Sequence, residues 1–382
     1  MFVSFKIGAA LAAATVLAVP GAALAKAPVF ETVYAFNGPT DGSGAFDLTN
    51  VGGLFYGITV LGTATPNQGT IFTFNPATGV ESVLHAFTGA EGSSPQGGVL
   101  STGGFLYGTN YSGGTGGDGT VYQVDPTSGS LTVLHSFAGT DGSSPRTSLI
   151  KVGAWLYGCT DYGGSANNGI IYKINPTSAV TKVAHDFAKD GLFLPGAPLV
   201  AYNNILYGAT WDGGSTGNGA LFAFDPVAKT LTVLHPFATA DGTQNNTIIQ
   251  SGGMLYGGSD TGGANGDGAI WSYDLTSGAF NVLHSFNGTD GSHVEGNLLV
   301  KNGTLYGTAV LGGSSSDGTL FSLNLTTNAV SVLHNFSGTD GINPHALVMQ
   351  KGTFYGVTEV GGPNNCMSPY SSNCGTVFSY KQ

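Results

Sequence analysis

The tetrapeptide Leu106-Tyr107-Gly108-Thr109 belongs to the repeat that decides the fold. A bulky apolar residue followed by Tyr-Gly recurs along the chain, and the steps between successive tyrosines are 51, 50, 50, 49, 50 and 49 residues. A fixed period of about 50 residues indicates one supersecondary unit stacked on copies of itself. The seven tyrosines are Tyr56, Tyr107, Tyr157, Tyr207, Tyr256, Tyr306 and Tyr355.

The unit that begins at Asp141 shows what is repeated. After an Asp-Gly turn, four short apolar segments follow, separated by Gly-, Asn- and Pro-rich turns; they span 148–152, 155–160, 170–174 and 180–187. Four short antiparallel strands with turn signals about every 8–12 residues are typical of one propeller blade.

The two ends of the chain predict a closed ring. The last unit stops at Tyr380 after three strands, whereas Val29 to Phe36 is a strand with no unit before it. That N-terminal strand resembles the fourth strand of later units, such as Leu131 to Phe137. Pairing the ends would remove the exposed sheet edges of an open array. We therefore predict an all-β, seven-bladed β-propeller of four-stranded antiparallel blades, closed by the N-terminal strand, as a single domain over 26–382.

Composition excludes some classes of function. Of the 382 residues 9% are charged, 63 are glycine, and the net charge is −11. The chain has eleven basic residues, and Arg146 is the single arginine, so nucleic acid is not an expected partner. GxSxG, HExxH and GxxxxGK[ST] motifs are absent, and no cofactor is expected.

The N-terminus predicts export. Lys6 precedes an apolar run over 7–18, and Ala23-Leu24-Ala25 forms an A-x-A cleavage site, which together indicate a signal peptide over 1–25. The alternative is a retained membrane anchor, but the run is short and Pro20-Gly21 interrupts it. We expect a periplasmic or secreted monomer with no integral membrane segment in the mature chain.

Two cysteines fit an oxidising compartment. Cys366 and Cys374 accompany an insertion, 363–373, that no other unit has, so we predict a disulfide between them. A metal site is the alternative, but no histidine lies near them in the sequence.

The series LYGT–GG–GTVY–DP–VLHSF–GTDG, seen from Leu106 to Gly142, resembles the GloVer tandem repeat of bacterial exported proteins. The resemblance covers essentially the whole mature chain. It implies a propeller-type fold and an exported address. It implies no particular activity.

Residues present in every unit are best explained by what every unit needs. One histidine per unit could suggest a metal array, but these residues lie on the predicted outermost strands, too far apart to share an ion. We interpret them as structural, each imidazole bonded to a neighbouring backbone group. They are His85, His135, His185, His235, His284 and His334. The loop Gly113 to Asp118 matches a calcium-repeat unit, but that chemistry needs copies nine residues apart, so no metal is expected.

Exceptional residues are the candidates for function. Two sets of loops emerge on the face that surrounds the central channel. Just before the innermost strands the units differ, with Asp47, Gln96, Arg146, Asn246, Glu295 and His345. The loops between strands two and three carry Tyr111, Asp161, Tyr162, Trp211, Asp212, Asp260 and Glu359. Aromatic rings beside carboxylates are typical of sugar sites, and the alternative is ordinary surface variation.

Two functional hypotheses follow. The first is an exported, non-catalytic binding module whose ligand is a carbohydrate or a protein. The second is a propeller lyase or hydrolase that acts on a saccharide, with acid–base groups such as His345 and Glu295 at the channel mouth. We favour binding because the chain has no nucleophile-plus-base motif and few charged groups. For Arg146 the alternatives are a contact to a ligand carboxylate, a tie to an acidic loop, or an ordinary surface position.

Overall fold

The protein is a seven-bladed β-propeller, as the repeat predicts. The computed structural model describes residues 27–62, 68–364 and 374–382. Each blade is an antiparallel sheet of four strands, although turns divide some strands of blades 3 and 4 into shorter pieces. Two three-residue 3-10 helices, Phe187–Lys189 and Thr239–Asp241, follow the outermost strands of blades 3 and 4.

Within each blade the strands follow one another from the channel outward. Blade 1 consists of Ser43–Val51, Leu54–Leu61, Thr70–Asn75 and Val80–Ala86. Blade 2 consists of Ser93–Thr102, Phe105–Ser112, Thr120–Val124 and Leu131–Ser136. Blade 3 consists of Ser143–Pro145 with Ile150–Val152, then Trp155–Tyr162, Ile170–Ile174 and Thr181–Asp186. Blade 4 consists of Leu192–Phe193 with Val200–Tyr202, Ile205–Ala209 with Asp212–Gly213, Ala220–Asp225 and Thr230–Pro236. Blade 5 consists of Thr243–Ser251, Met254–Thr261, Ala269–Asp274 and Phe280–Ser285. Blade 6 consists of Leu299–Lys301, Thr304–Ala309, Thr319–Asn324 and Val330–Asn335. Blade 7 consists of Ile342–Gln350, Thr353–Val360, Thr376–Lys381 and the N-terminal strand Val29–Ala35.

The N-terminal strand closes the ring, which confirms the prediction. It pairs antiparallel with the last strand of the chain, from Val29 opposite Lys381 to Ala35 opposite Thr376. Phe36 follows as a fully buried residue whose N–H donates to the Gly375 carbonyl at 3.1 Å. The outer edge of blade 7 is therefore supplied by the opposite end of the chain.

The hydrophobic core lies between blades. Each of its seven clusters mixes side chains from two neighbouring blades; Tyr56 and Ile71 of blade 1, for example, pack with Leu106 and Tyr122 of blade 2. This placement follows from strand alternation, because each sheet has two apolar faces that neighbouring blades cover.

The same packing explains the Tyr-Gly pair. A methyl group on Gly108 would lie 2.3 Å from the Tyr122 hydroxyl, and one on Gly257 would lie 2.1 Å from the Trp271 ring. The aromatic residue of strand three occupies the space beside the glycine of strand two. Only glycine leaves room for that ring.

The repeated histidines are structural, with a partner different from the one expected. His135 Nε2 lies 2.9 Å from the Asp141 carboxylate, in the turn that leads to the next blade, and the Ala138 N–H donates to the same carboxylate at 2.9 Å. The same pairing occurs at His185, His235, His284 and His334, and His85 pairs with Glu91. The expected backbone partner is found at His85, whose Nδ1 lies 3.0 Å from the Gly129 carbonyl oxygen.

Some predictions fall on residues outside the described ranges. The signal peptide 1–25 and Cys366 both do, so cleavage and the Cys366–Cys374 disulfide stay predictions. Cys374 itself is buried in the cluster that joins blades 7 and 1. No helix in the described ranges is long and apolar enough to cross a membrane.

Candidate functional site

The start of every innermost strand contributes to one cavity on the propeller axis. This axial cavity has a volume of about 560 Å³, including the solvent at its mouth. All six residues predicted from the positions before the innermost strands line it. The full lining is Phe46, Asp47, Gln96, Arg146, Thr147, Ser148, Gly196, Pro198, Asn246, Glu295, Gly296, Asn297, His345 and Ala346.

A repeated backbone irregularity turns one residue per blade towards the cavity. The residue two positions earlier has a left-handed backbone, with φ of 54° at Ser94 and 60° at Ser144. In blades 1, 2 and 5 the register shifts across the lining residue, which marks a β-bulge there. Bulges re-aim side chains in this way next to functional sites. The resulting axial ring is Phe46, Gln96, Arg146, Gly196, Asn246, Glu295 and His345.

Asp47 lies one residue deeper than the axial ring, because Phe46 takes the ring position in blade 1. The Asn297 side-chain amide donates to Asp47 Oδ1 at 3.0 Å, and the Leu48 N–H donates at 2.6 Å. Burial raises the pKa of Asp47 to about 6, although these two hydrogen bonds oppose the shift. The Asn297 bond joins blade 6 to blade 1 past the innermost strand of blade 7.

Trp211 replaces the missing side chain of blade 4. A methyl group on Gly196 would lie 1.9 Å from Trp211 Nε1, so the indole covers the glycine at this ring position. The guanidinium carbon of Arg146 lies 4.5 Å from the centre of the Trp211 ring, within cation–π distance. Trp211 of blade 4 therefore supports Arg146 of blade 3, which lines the cavity.

Two acidic loop residues that feel the charge of Arg146 have raised pKa values. Asp161 is 4% exposed, and burial raises its pKa to about 6, with Arg146 opposing the shift. Burial and the charge of Glu295 raise the pKa of Asp260 well above its usual range, while Asn246 and Arg146 oppose that shift. A carboxyl that keeps its proton near neutral pH can donate a hydrogen bond or act as a general acid.

His345 pairs with a different carboxylate from the one expected. Its Nε2 lies 3.7 Å from Glu359 Oε2, and the Asn343 amide donates to the same oxygen at 3.3 Å. His345 is 3% exposed, and its ring centre lies 4.3 Å from that of Phe46. The nearby imidazole lowers the pKa of Glu359, and Glu295 instead interacts with Asp260.

Comparisons with known proteins bear on family and fold. A family model described as the Gloeobacter/Verrucomicrobia repeat matches residues 23–200 and again 181–370. The chain belongs to this repeat family. This result confirms the family indicated by the LYGT–GTDG series.

One solved structure that resembles this repeat protein supports the fold, and it supports the fold alone. The computationally designed Ika8 protein has a TM-score of 0.54 at 14% identity, covering 92% of this chain and 99% of its own. A chain from a nidogen/laminin complex has a TM-score of 0.46 at 12% identity, covering 74% and 93%. No curated protein matches the sequence.

The remaining predicted site residues divide between two positions. Tyr111 is half-buried, and its pKa is raised by burial, with Ser144 and Arg146 opposing and Asp161 adding to the shift; it therefore belongs to the group around Arg146. Tyr162 is 40% exposed and Asp212 is exposed, and neither lines the cavity. The predicted aromatic and acidic group is thus a half-buried cluster with an exposed rim.

Phe46, Gly196 and Asn297 are among the lining residues that sequence reasoning missed. Aligning the units on their Asp-Gly turns would have identified two of them as ring positions. Phe46 lies five residues after Asp41, and Gly196 lies five residues after Gly191. Nothing in the repeat signals Asn297, because its contact with Asp47 depends on ring closure.

The calcium-like loop has a structural use. Asp118 Oδ1 accepts a hydrogen bond from the Ser143 hydroxyl at 2.9 Å, which ties the loop of blade 2 to the start of blade 3. Within the described ranges, no three His, Cys, Asp or Glu side chains converge as a metal site would require.

Proposed function

We propose that this protein is an exported binding module and that the axial cavity takes a carbohydrate. The observation that carries the proposal is the convergence of a different, mostly polar side chain from nearly every blade on one cavity. A fold that needs only repetition has no use for seven different residues at equivalent positions.

The chemistry of the lining supports a polyhydroxylated ligand. Gln96, Asn246 and Asn297 carry amides that can both donate and accept, and Asp47 and Glu295 add acceptors. Phe46 supplies aromatic surface.

Calorimetric titration of the mature protein with a panel of neutral, acidic and amino saccharides tests the proposal. Asn246→Ala should weaken binding by about tenfold or more, because it removes the hydrogen bonds of one ring position. Asn281→Ala is the matched control, since Asn281 is an exposed asparagine on the outermost strand of the same blade. Equal affinities of the two variants, or no saccharide binding at all, would refute the proposal.

A saccharide lyase or hydrolase is the second candidate, and Asp260 is the observation that favours it. A carboxyl with a raised pKa beside the second carboxyl of Glu295 is the arrangement that general acid–base cleavage of sugars uses. Mass spectrometry of bound oligosaccharides would detect cleavage. Turnover that Asp260→Asn abolishes, with binding retained, would establish the enzyme; binding without products would favour the module.

Export from the cytoplasm is part of the same proposal. Fractionation of the producing cell and N-terminal sequencing should find a chain that begins at Lys26 outside the cytoplasm. An intact Met1 on the cytoplasmic protein would contradict it.

A further inference from the structure

Arg146 has donors that nothing in the described structure uses. Its guanidinium stacks at 4.5 Å from the Trp211 ring centre. Among the described residues it makes no hydrogen bond and has no carboxylate within 4.0 Å. Five N–H groups are fixed in a planar fork that suits a bidentate acceptor, a geometry lysine cannot imitate.

The neighbouring acids do not serve as counter-ions. Asp161 and Asp260 both feel the charge of Arg146, yet burial dominates and the pKa of each stays raised. A direct ion pair would lower the pKa of its carboxylate by stabilising the charged form. Arg146 therefore does not tie down an acidic loop, which was one of the roles open from the sequence.

Trp211 fixes the direction of this fork. The indole packs against Gly196, where a methyl group would lie 1.9 Å from Trp211 Nε1, and the guanidinium carbon lies over the indole ring. Gly196 and Arg146 both line the axial cavity, so the unused donors of Arg146 lie at the cavity wall.

We propose that Arg146, held in place by Trp211, forms a carboxylate-binding subsite and that the ligand of the axial cavity is an acidic saccharide carrying a uronate group. The inference rests on the proposed carbohydrate function and narrows its ligand class. The paired N–H donors of Arg146 match the two oxygens of one carboxylate, and the guanidinium supplies the opposite charge. Stacking on the indole holds the fork in place before the ligand arrives, so little side-chain entropy is lost on binding.

The test compares one saccharide in two charge states. The full mature protein is titrated with a trisaccharide of galacturonic acid and with its methyl ester, which differs only in the carboxylate. We expect the acid to bind at least about tenfold more tightly, the contribution of one good charge-assisted contact. Arg146→Gln should abolish that preference, so that the acid and the ester bind with equal affinity, and Arg146→Lys should lose most of the preference although the charge is kept. Lys151→Gln, an exposed cation on the same blade, should keep the preference.

Each outcome separates this inference from the broader function. Equal binding of acid and ester, or preference for neutral sugars, would overturn the acidic-ligand inference and leave carbohydrate binding standing. Absence of binding across the whole panel would overturn both. Melting temperatures complete the design: if Arg146→Gln and Arg146→Lys melt well below the parent protein, Arg146 has a structural role and the subsite assignment fails.

Discussion

At the scale of single residues, Asp161 is a side chain whose burial lowers the stability of the fold. Asp161 is almost fully buried, makes no hydrogen bond to another described residue, and has a pKa raised to about 6. An uncompensated buried carboxylate costs stability, and such a residue is retained most readily where function needs it. The repeats offer a less costly solution, because blades 1 and 6 have Val60 and Val310 at the equivalent position, four residues after the repeated tyrosine.

The cost of Asp161 should be measurable as a pH dependence. A folded-state pKa of about 6 against an unfolded value near 3.8 means that the folded state binds the proton more tightly. Below about pH 4 the carboxyl is protonated in both states, so Asp161 does not lower the free energy of unfolding. That free energy falls as the pH rises from about 4 to 6. Asp161→Asn should be more stable than the parent by about 2 kcal/mol at pH 7.5 and show no such advantage at pH 4. Denaturant unfolding at the two pH values measures the difference; a constant gap between the proteins would contradict the assignment.

At the scale of the element, the Tyr-Gly pair and the His–Asp turn are the parts that every blade shares. Both were visible in the sequence as repeats, and repetition correctly marked them as structural. Their partners were not visible. The aromatic ring beside Gly108 comes from the next strand, and the carboxylate bonded to each histidine comes from the following turn.

The strand-two glycine should not tolerate a side chain. Gly108→Ala places a methyl group 2.3 Å from the Tyr122 hydroxyl, and the ring cannot move freely because it is fully buried. Overpacking of this kind should cost about 2 kcal/mol or more. Gly89→Ala is the matched control: a methyl group there meets nothing within 4 Å, so its stability should be nearly unchanged. Two equally stable variants would mean that the blade absorbs the methyl group by a shift of the strand.

Removing the Asp290 carboxylate should weaken the turn that follows the outermost strand of blade 5. Asp290 is bonded to His284 Nε2 at 2.8 Å and accepts from the Asn287 N–H at 3.0 Å, so Asp290→Ala should cost about 2 kcal/mol. His284→Ala should cost less, and the double variant less than the sum, because both remove the same bond. Strict additivity in thermal or denaturant unfolding would show that the pair does not interact in solution.

At the scale of the whole molecule, the sequence predicted the architecture almost completely and the site only in part. The period and the unequal ends were enough for seven blades and for closure, because each unit needs the next to bury its apolar faces. The site depends on which exceptional residues meet across the ring. The Asn297–Asp47 contact joins positions 250 residues apart, and the folding of Trp211 over Gly196 depends on the absence of a side chain in blade 4. No local pattern carries that information.

Closure itself leads to the strongest prediction about the fold. The N-terminal strand pairs with the last strand of the chain and also contacts both neighbouring blades. The Phe30 ring lies 3.5 Å from His334 of blade 6, and the Tyr34 hydroxyl donates to Glu81 of blade 1 at 3.1 Å. Deleting Val29 to Phe36 removes these contacts and exposes an unpaired strand edge, a template for aggregation.

The truncated protein should melt at least about 5 °C below the mature protein and should form soluble aggregates in analytical ultracentrifugation. A synthetic peptide covering residues 27–37, added in excess, should restore both properties, because binding to the folded form stabilises it by mass action. A scrambled peptide of the same composition is the control, since it keeps the hydrophobicity and loses the register. Rescue by the native peptide alone would show that closure depends on this strand as a specific pairing unit. An unchanged melting temperature and a monomeric truncated protein would mean that the three remaining strands of blade 7 suffice to hold the ring together.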